Sequence, residues 1–138
     1  VSESTITPEI ELAARAGAGI GAHGIDVRVN DDGSLGFEYE GALCSLRALG
    51  LAPGLVVLSV TCVLAWDRPL KTQLHKRVAE RNNELQFGSL TLITRDRLAD
   101  VLLRYTFPGN GLDDLALTTM LMLVLGGVRE ARQGLLAP

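Results

Sequence analysis

The run Leu55-Val56-Val57-Leu58-Ser59-Val60-Thr61-Cys62-Val63-Leu64-Ala65-Trp66 decides the fold. Ser59, Thr61 and Cys62 are its only breaks, and its β-branched content favours a long central strand. Turn signals bracket it: Gly50 to Gly54 with Pro53 on one side, Asp67 ahead of Pro69 on the other. Upstream, Leu43 to Leu49 reads as a further strand, and Leu35-Gly36-Phe37-Glu38-Tyr39-Glu40 alternates before Gly41 interrupts. Ile25 to Asn30 alternates ahead of the strong turn Asp31-Asp32-Gly33-Ser34. These segments form an antiparallel meander.

Helical patterns flank it. Thr7-Pro8 caps and starts a first helix, with Glu9 and Glu11 complementing its dipole. Ile10, Ala13, Ala14, Ala18 and Ile20 give a narrow stripe, and Gly17, Gly19, Gly21 and Gly24 weaken and end a short, easily displaced helix. Asp67 before Pro69 is another cap-like start, after which Leu70, Leu74, Val78 and Leu85 fall at helical spacing. Phe87 to Thr94 reads as a strand and Arg95-Asp96 as a tight turn. Leu98 to Phe107 fits both a strand and a helical stripe, and local pattern does not choose between them. Pro108-Gly109-Asn110-Gly111 is a break, with Asn110 placed to cap a last helix in a box with Asp113.

That last helix is the most informative. Leu112, Leu115, Ala116, Met120, Leu123 and Val124 supply one apolar face, and Leu117, Leu121, Met122 and Leu125 carry apolar surface beyond it. The expectation is a homodimer seam or partner groove built from Leu117, Met120, Leu121, Val124 and Leu125, with Trp66 as a further anchor.

At 138 residues the chain fits one domain, spanning 1–138, with no repeats or linkers. Hydrophobic residues make up 47% and charged residues 21%, ample for a core. Thirteen basic residues are scattered among 16 acidic ones, for a net charge of −3, which disfavours direct nucleic-acid binding. Aromatic content of 4% disfavours base-stacking and sugar-binding surfaces. Leu115 to Leu125 is too short to span a bilayer, and no leader-like stretch is visible, so the expected location is cytoplasmic.

Arg81-Asn82-Asn83-Glu84-Leu85-Gln86-Phe87-Gly88-Ser89-Leu90-Thr91-Leu92 resembles the most recognisable stretch of the YbjN family, in which an Asn-containing helix end leads into a glycine and an alternating strand. Thr106-Phe107-Pro108-Gly109-Asn110-Gly111-Leu112 resembles the break that follows. YbjN-like domains are similar in fold to small dimeric type III secretion chaperones. From about Thr7 to Leu136 the resemblance implies a bacterial α+β protein: an antiparallel sheet of about five strands with helices packed on it, ordered α-β-β-β-α-β-β-α. It further implies a strand at Leu98 to Phe107, a dimer, and binding without catalysis.

Candidate chemistry is sparse. Gly19-Ile20-Gly21-Ala22-His23-Gly24 matches GxGxxG, but a dinucleotide site needs a strand before the glycines and a helix after, and here that order is reversed. His23 and His75 have no ligand spacing around them, so no metal or cofactor is expected. Asp113-Asp114 reads as helix-start acids, and Cys44 and Cys62 as buried thiols that pair only if their strands do. Lys71, His75, Lys76, Arg77 and Arg81 read as a solvated basic face. The reading is a non-catalytic, chaperone-like or adaptor module, a homodimer that docks an unidentified partner protein by hydrophobic contact or strand addition at a sheet edge. The alternative is a small-ligand sensing or regulatory module.

Overall fold

The computed structural model describes residues 6–133 and Leu135; the outer limits of the expected domain, Leu136 included, lie outside that range. Its elements are α1 (Pro8–Gly21), β1 (Arg28–Val29), β2 (Leu35–Tyr39), β3 (Ala42–Ala52), β4 (Leu55–Pro69), α2 (Thr72–Glu84), β5 (Ser89–Arg95), β6 (Leu98–Pro108) and α3 (Asp114–Arg132). The strands form one antiparallel sheet of six, in the order β1-β2-β3-β4-β6-β5. The order is therefore α-β-β-β-β-α-β-β-α, one strand more than expected. The additional strand is the two-residue β1, the part of the alternating stretch Ile25 to Asn30 that pairs, set by the Asp31–Ser34 turn. There Asp32 accepts from the Ser34 backbone N–H and hydroxyl at 3.0 and 2.6 Å, and Gly33 takes φ +86°.

The ambiguous segment is β6, and it lies between β4 and β5. A β6 helix would leave one side of β4 without hydrogen-bond partners, so tertiary pairing resolves what local periodicity leaves open.

All three helices cover one face of the sheet. Phe37, Cys44, Leu46, Leu58, Val60, Cys62, Leu64 and Leu103 point into it, and Leu12, Ala16 and Ile20 of α1 and Leu117, Leu121, Val124, Leu125 and Val128 of α3 close over them. The inner stripe of α1 is thus Leu12-Ala16-Ile20, while Ile10 is exposed. Gly17 and Gly19 lie within α1 and do not end it. A Cβ on Gly19 would come within 2.2 Å of Thr118 Oγ1, so glycine there sets the close approach of α1 to α3. Arg15 ties the same pair, donating to Asp114 at 2.7 Å and to the Leu112 carbonyl.

Two bulges bend β4 where it pairs with β6. At the first, the Leu64 carbonyl accepts from Arg132 Nε at 2.9 Å, and the same guanidinium donates to the Glu40 carbonyl at 2.6 Å, anchoring the end of α3. At the second, Trp66 and Asp67 oppose the single residue Asp100. Asp67, at φ +51°, donates its backbone N–H to Asp100 Oδ1 at 2.9 Å. Asp67 therefore belongs to the strand, and α2 begins from Lys71 with no side-chain cap.

Candidate docking surfaces

Among the described residues, no helix lies on the opposite face of the sheet. Cross-strand register places Leu43 beside Val63 and Val63 beside Leu102, an apolar row across β3, β4 and β6. Ile93, Leu98 and Trp66 extend it, with 42%, 40% and 56% of their surfaces exposed. Trp66 joins this face because the bulge turns it away from buried Ala65. Beside it, Arg95 donates to Asp100 at 2.6 and 3.1 Å and pairs with Asp67. The Arg95 guanidinium and the Asp67 N–H hold the Asp100 carboxyl below the usual carboxylate range. A tryptophan next to a fixed arginine within an aliphatic patch has the composition of an interface anchor.

The second surface is the outer side of α3. Leu115 is 79% and Leu123 46% exposed, with Met122 half-buried between them. Met122 and Leu123 line two adjoining depressions, of about 290 Å³ towards His23 and about 450 Å³ towards Leu85 and Phe87. Gly126 adds no side chain there, and a Cβ on it would meet open space.

Of the six anticipated contact residues, Trp66 is exposed and Met120 partly buried against the core. Leu117, Leu121, Val124 and Leu125 are buried to 1% or less inside this chain, so a seam made from them is corrected. Their stripe faces the sheet and α1; the surplus circumference of α3 lies one step round, at Leu115, Met122 and Leu123. Sequence reading missed the sheet-face row because alternation marks two faces of a strand without telling which the helices cover.

The β5 edge is partly closed. The Asn82 amide imitates a strand, accepting from the Leu90 N–H at 2.6 Å and donating to its carbonyl at 3.3 Å. By alternation Leu92 and Thr94 also direct backbone groups outward, so a short edge remains.

The remaining candidates have local roles. His23 Nδ1 contacts the Gly19 carbonyl at 3.1 Å, where α1 precedes the glycines and no strand leads into them. His75 is exposed on α2, and Arg81 of its basic face joins α2 to the end of α3 through the Gln133 carbonyl, at 2.7 Å. Asp113 caps α3, accepting from Ala116 N–H at 2.8 Å, and Asp114 pairs with Arg15. Among the described residues, no group of three or more His, Cys, Asp or Glu is placed to hold a metal, and no helix is long and apolar enough to cross a membrane.

Searches with family models and against curated proteins match nothing. Solved structures do match. A chain of the HopA1–SchA chaperone–effector complex, from Pseudomonas, superposes with a TM-score of 0.60 at 12% identity, over 96% of this chain and 100% of that one. The fold is YbjN-like and chaperone-like. YbjN from E. coli aligns with a TM-score of 0.53 at 12% identity, over 83% of this chain and 86% of its own. The YbjN-like fold thus accounts for the helix-sheet-helix order, and at this identity the likeness is one of fold.

Proposed function

We propose that this YbjN-like chain is a non-catalytic, chaperone-like docking module that works in the cytoplasm as a weak homodimer and binds a partner protein on the bare face of its sheet. The observation that carries the reading is that face, where Trp66, Ile93, Leu98 and Leu43 stand exposed around the Arg95–Asp100 pair. The chaperone–effector neighbour supports a protein as the ligand class.

Self-association belongs to the other side, at Leu115, Met122 and Leu123. Full burial of such side chains contributes about 1.5–3 kcal/mol each. Two of the three are already partly covered, so the gross gain is roughly 3–6 kcal/mol per protomer, about 6–12 kcal/mol for a symmetric pair, against association costs of about 4–15 kcal/mol. The dimer is therefore concentration-dependent and does not hide the sheet face. Asn82 shortens the free β5 edge, which favours side-chain docking on the face over strand addition.

Two variants separate the surfaces. Leu123→Asp shifts light-scattering mass to that of the monomer and leaves partner capture intact. Trp66→Ala lowers capture of a stoichiometric partner from native-cell extract by about tenfold or more, the loss typical of a central anchor, and leaves the mass unchanged. Equal capture by wild type and Trp66→Ala removes the basis of the reading.

A further inference from the structure

Cys44 on β3 and Cys62 on β4 are direct register partners and the chain's two cysteines. Both point into the core, at 2% and 0% exposure. The backbone fixes which kind of cross-strand pair they form. Gly109 N–H donates to the Val56 carbonyl at 3.0 Å, so Val56 directs its polar groups towards β6. No shift in register interrupts β4 between Val57 and Val63, so Leu58, Val60 and Cys62 do the same. The other edge agrees: Leu90 turns its N–H and carbonyl outward to Asn82, which turns its partner Leu103, and hence Cys62, towards the β4–β6 ladder. Cys62 therefore sends no hydrogen bond to β3, and Cys44–Cys62 is a non-hydrogen-bonded pair.

In such a pair the Cα atoms lie about 4.5 Å apart with side chains close together, inside the roughly 4.4–6.8 Å window for a disulfide. We propose that Cys44 and Cys62 are a latent disulfide site that staples β3 to β4. Cys44 Sγ donates to the Ala42 carbonyl at 3.6 Å, and the adjoining Cys44 thiol together with burial pushes the Cys62 thiol far above its ordinary range. That places the site out of reach of oxidants in the folded chain, because the thiolate is the attacking species. The bond forms when the hairpin is open, during folding or local unfolding. One thiolate attacks oxidised glutathione, giving a mixed disulfide and one glutathione thiolate. The second then attacks the protein sulfur and expels the other. Two protein thiols are oxidised, and one glutathione disulfide is reduced to two thiols.

The test is refolding of the full chain from urea in reduced and oxidised glutathione, with dithiothreitol as the reducing comparison. Thiols are counted by alkylation and intact mass after denaturation. The expected product is monomer-linked, lighter by two hydrogens, free of alkylatable thiol and native by circular dichroism. Its denaturation midpoint lies above that of the reduced chain, by roughly 5 °C or more. The folded chain in the same buffer oxidises at least about tenfold more slowly. A native product that keeps both thiols, links between chains, an oxidised form without native structure, or equally fast oxidation of the folded chain overturns the proposal. The double variant Cys44→Ala, Cys62→Ala is the control, and its midpoint loses all dependence on the redox buffer. A shift that survives there also overturns it. The inference is independent of the docking reading, which makes no use of either cysteine.

Discussion

Asn110 joins the start of β4 to the break before α3. Its Oδ1 accepts from Val56 N–H at 3.1 Å, and its Nδ2 donates to the Gly54 carbonyl at 2.8 Å. Asn110→Ala leaves that part-buried N–H unsatisfied, and chemical denaturation is expected to show a loss of about 1–2 kcal/mol. Asp100 governs acid behaviour at the same scale. Its folded-state pKa is lowered, chiefly by its bond to Arg95, so its stabilisation is complete above the unfolded carboxylate value of about 3.9 and disappears as pH falls through the folded value. Asp100→Asn is expected to lower the melting temperature near neutrality and to flatten its fall below about pH 4; an acid limb as steep as the wild type's contradicts the assignment. Neither role was legible in the sequence. Asn110 is suited to capping and stands three residues ahead of Asp113, but Asp113 takes the cap because the preceding backbone is held against β4.

Elements were more legible than their faces. Strand and helix identities follow from alternation, β-branching and turn residues, and β6 from the family resemblance combined with the needs of β4. Helix faces depend on partners distant in sequence: α1 uses Leu12-Ala16-Ile20 because Gly17 and Gly19 let it press against α3 and the sheet. The α1–α3 contact is expected to respond to added bulk. Gly19→Ala gains helix propensity, about 1 kcal/mol, but sets a methyl group against Thr118, an overpacking cost of about 1–3 kcal/mol. Net destabilisation in urea is the expected outcome, reversed in the double variant with Thr118→Ala. A stable single variant would show that the helices move apart freely.

At the scale of the molecule, the decisive asymmetry among the described residues is that three helices share one face of a six-stranded sheet and leave the other bare. The sequence pointed to surplus apolar surface and placed it on α3; the fold spends most of α3 on its own core and leaves larger side chains exposed on the sheet. Trp66 is the chain's one tryptophan, so this face carries its own probe. The most direct measurement is acrylamide quenching of Trp66 fluorescence in the free chain and in its complex with the captured partner. The account expects efficient quenching in the free chain at every protein concentration, and several-fold weaker quenching in the complex. Quenching that is unchanged when the partner binds would contradict it.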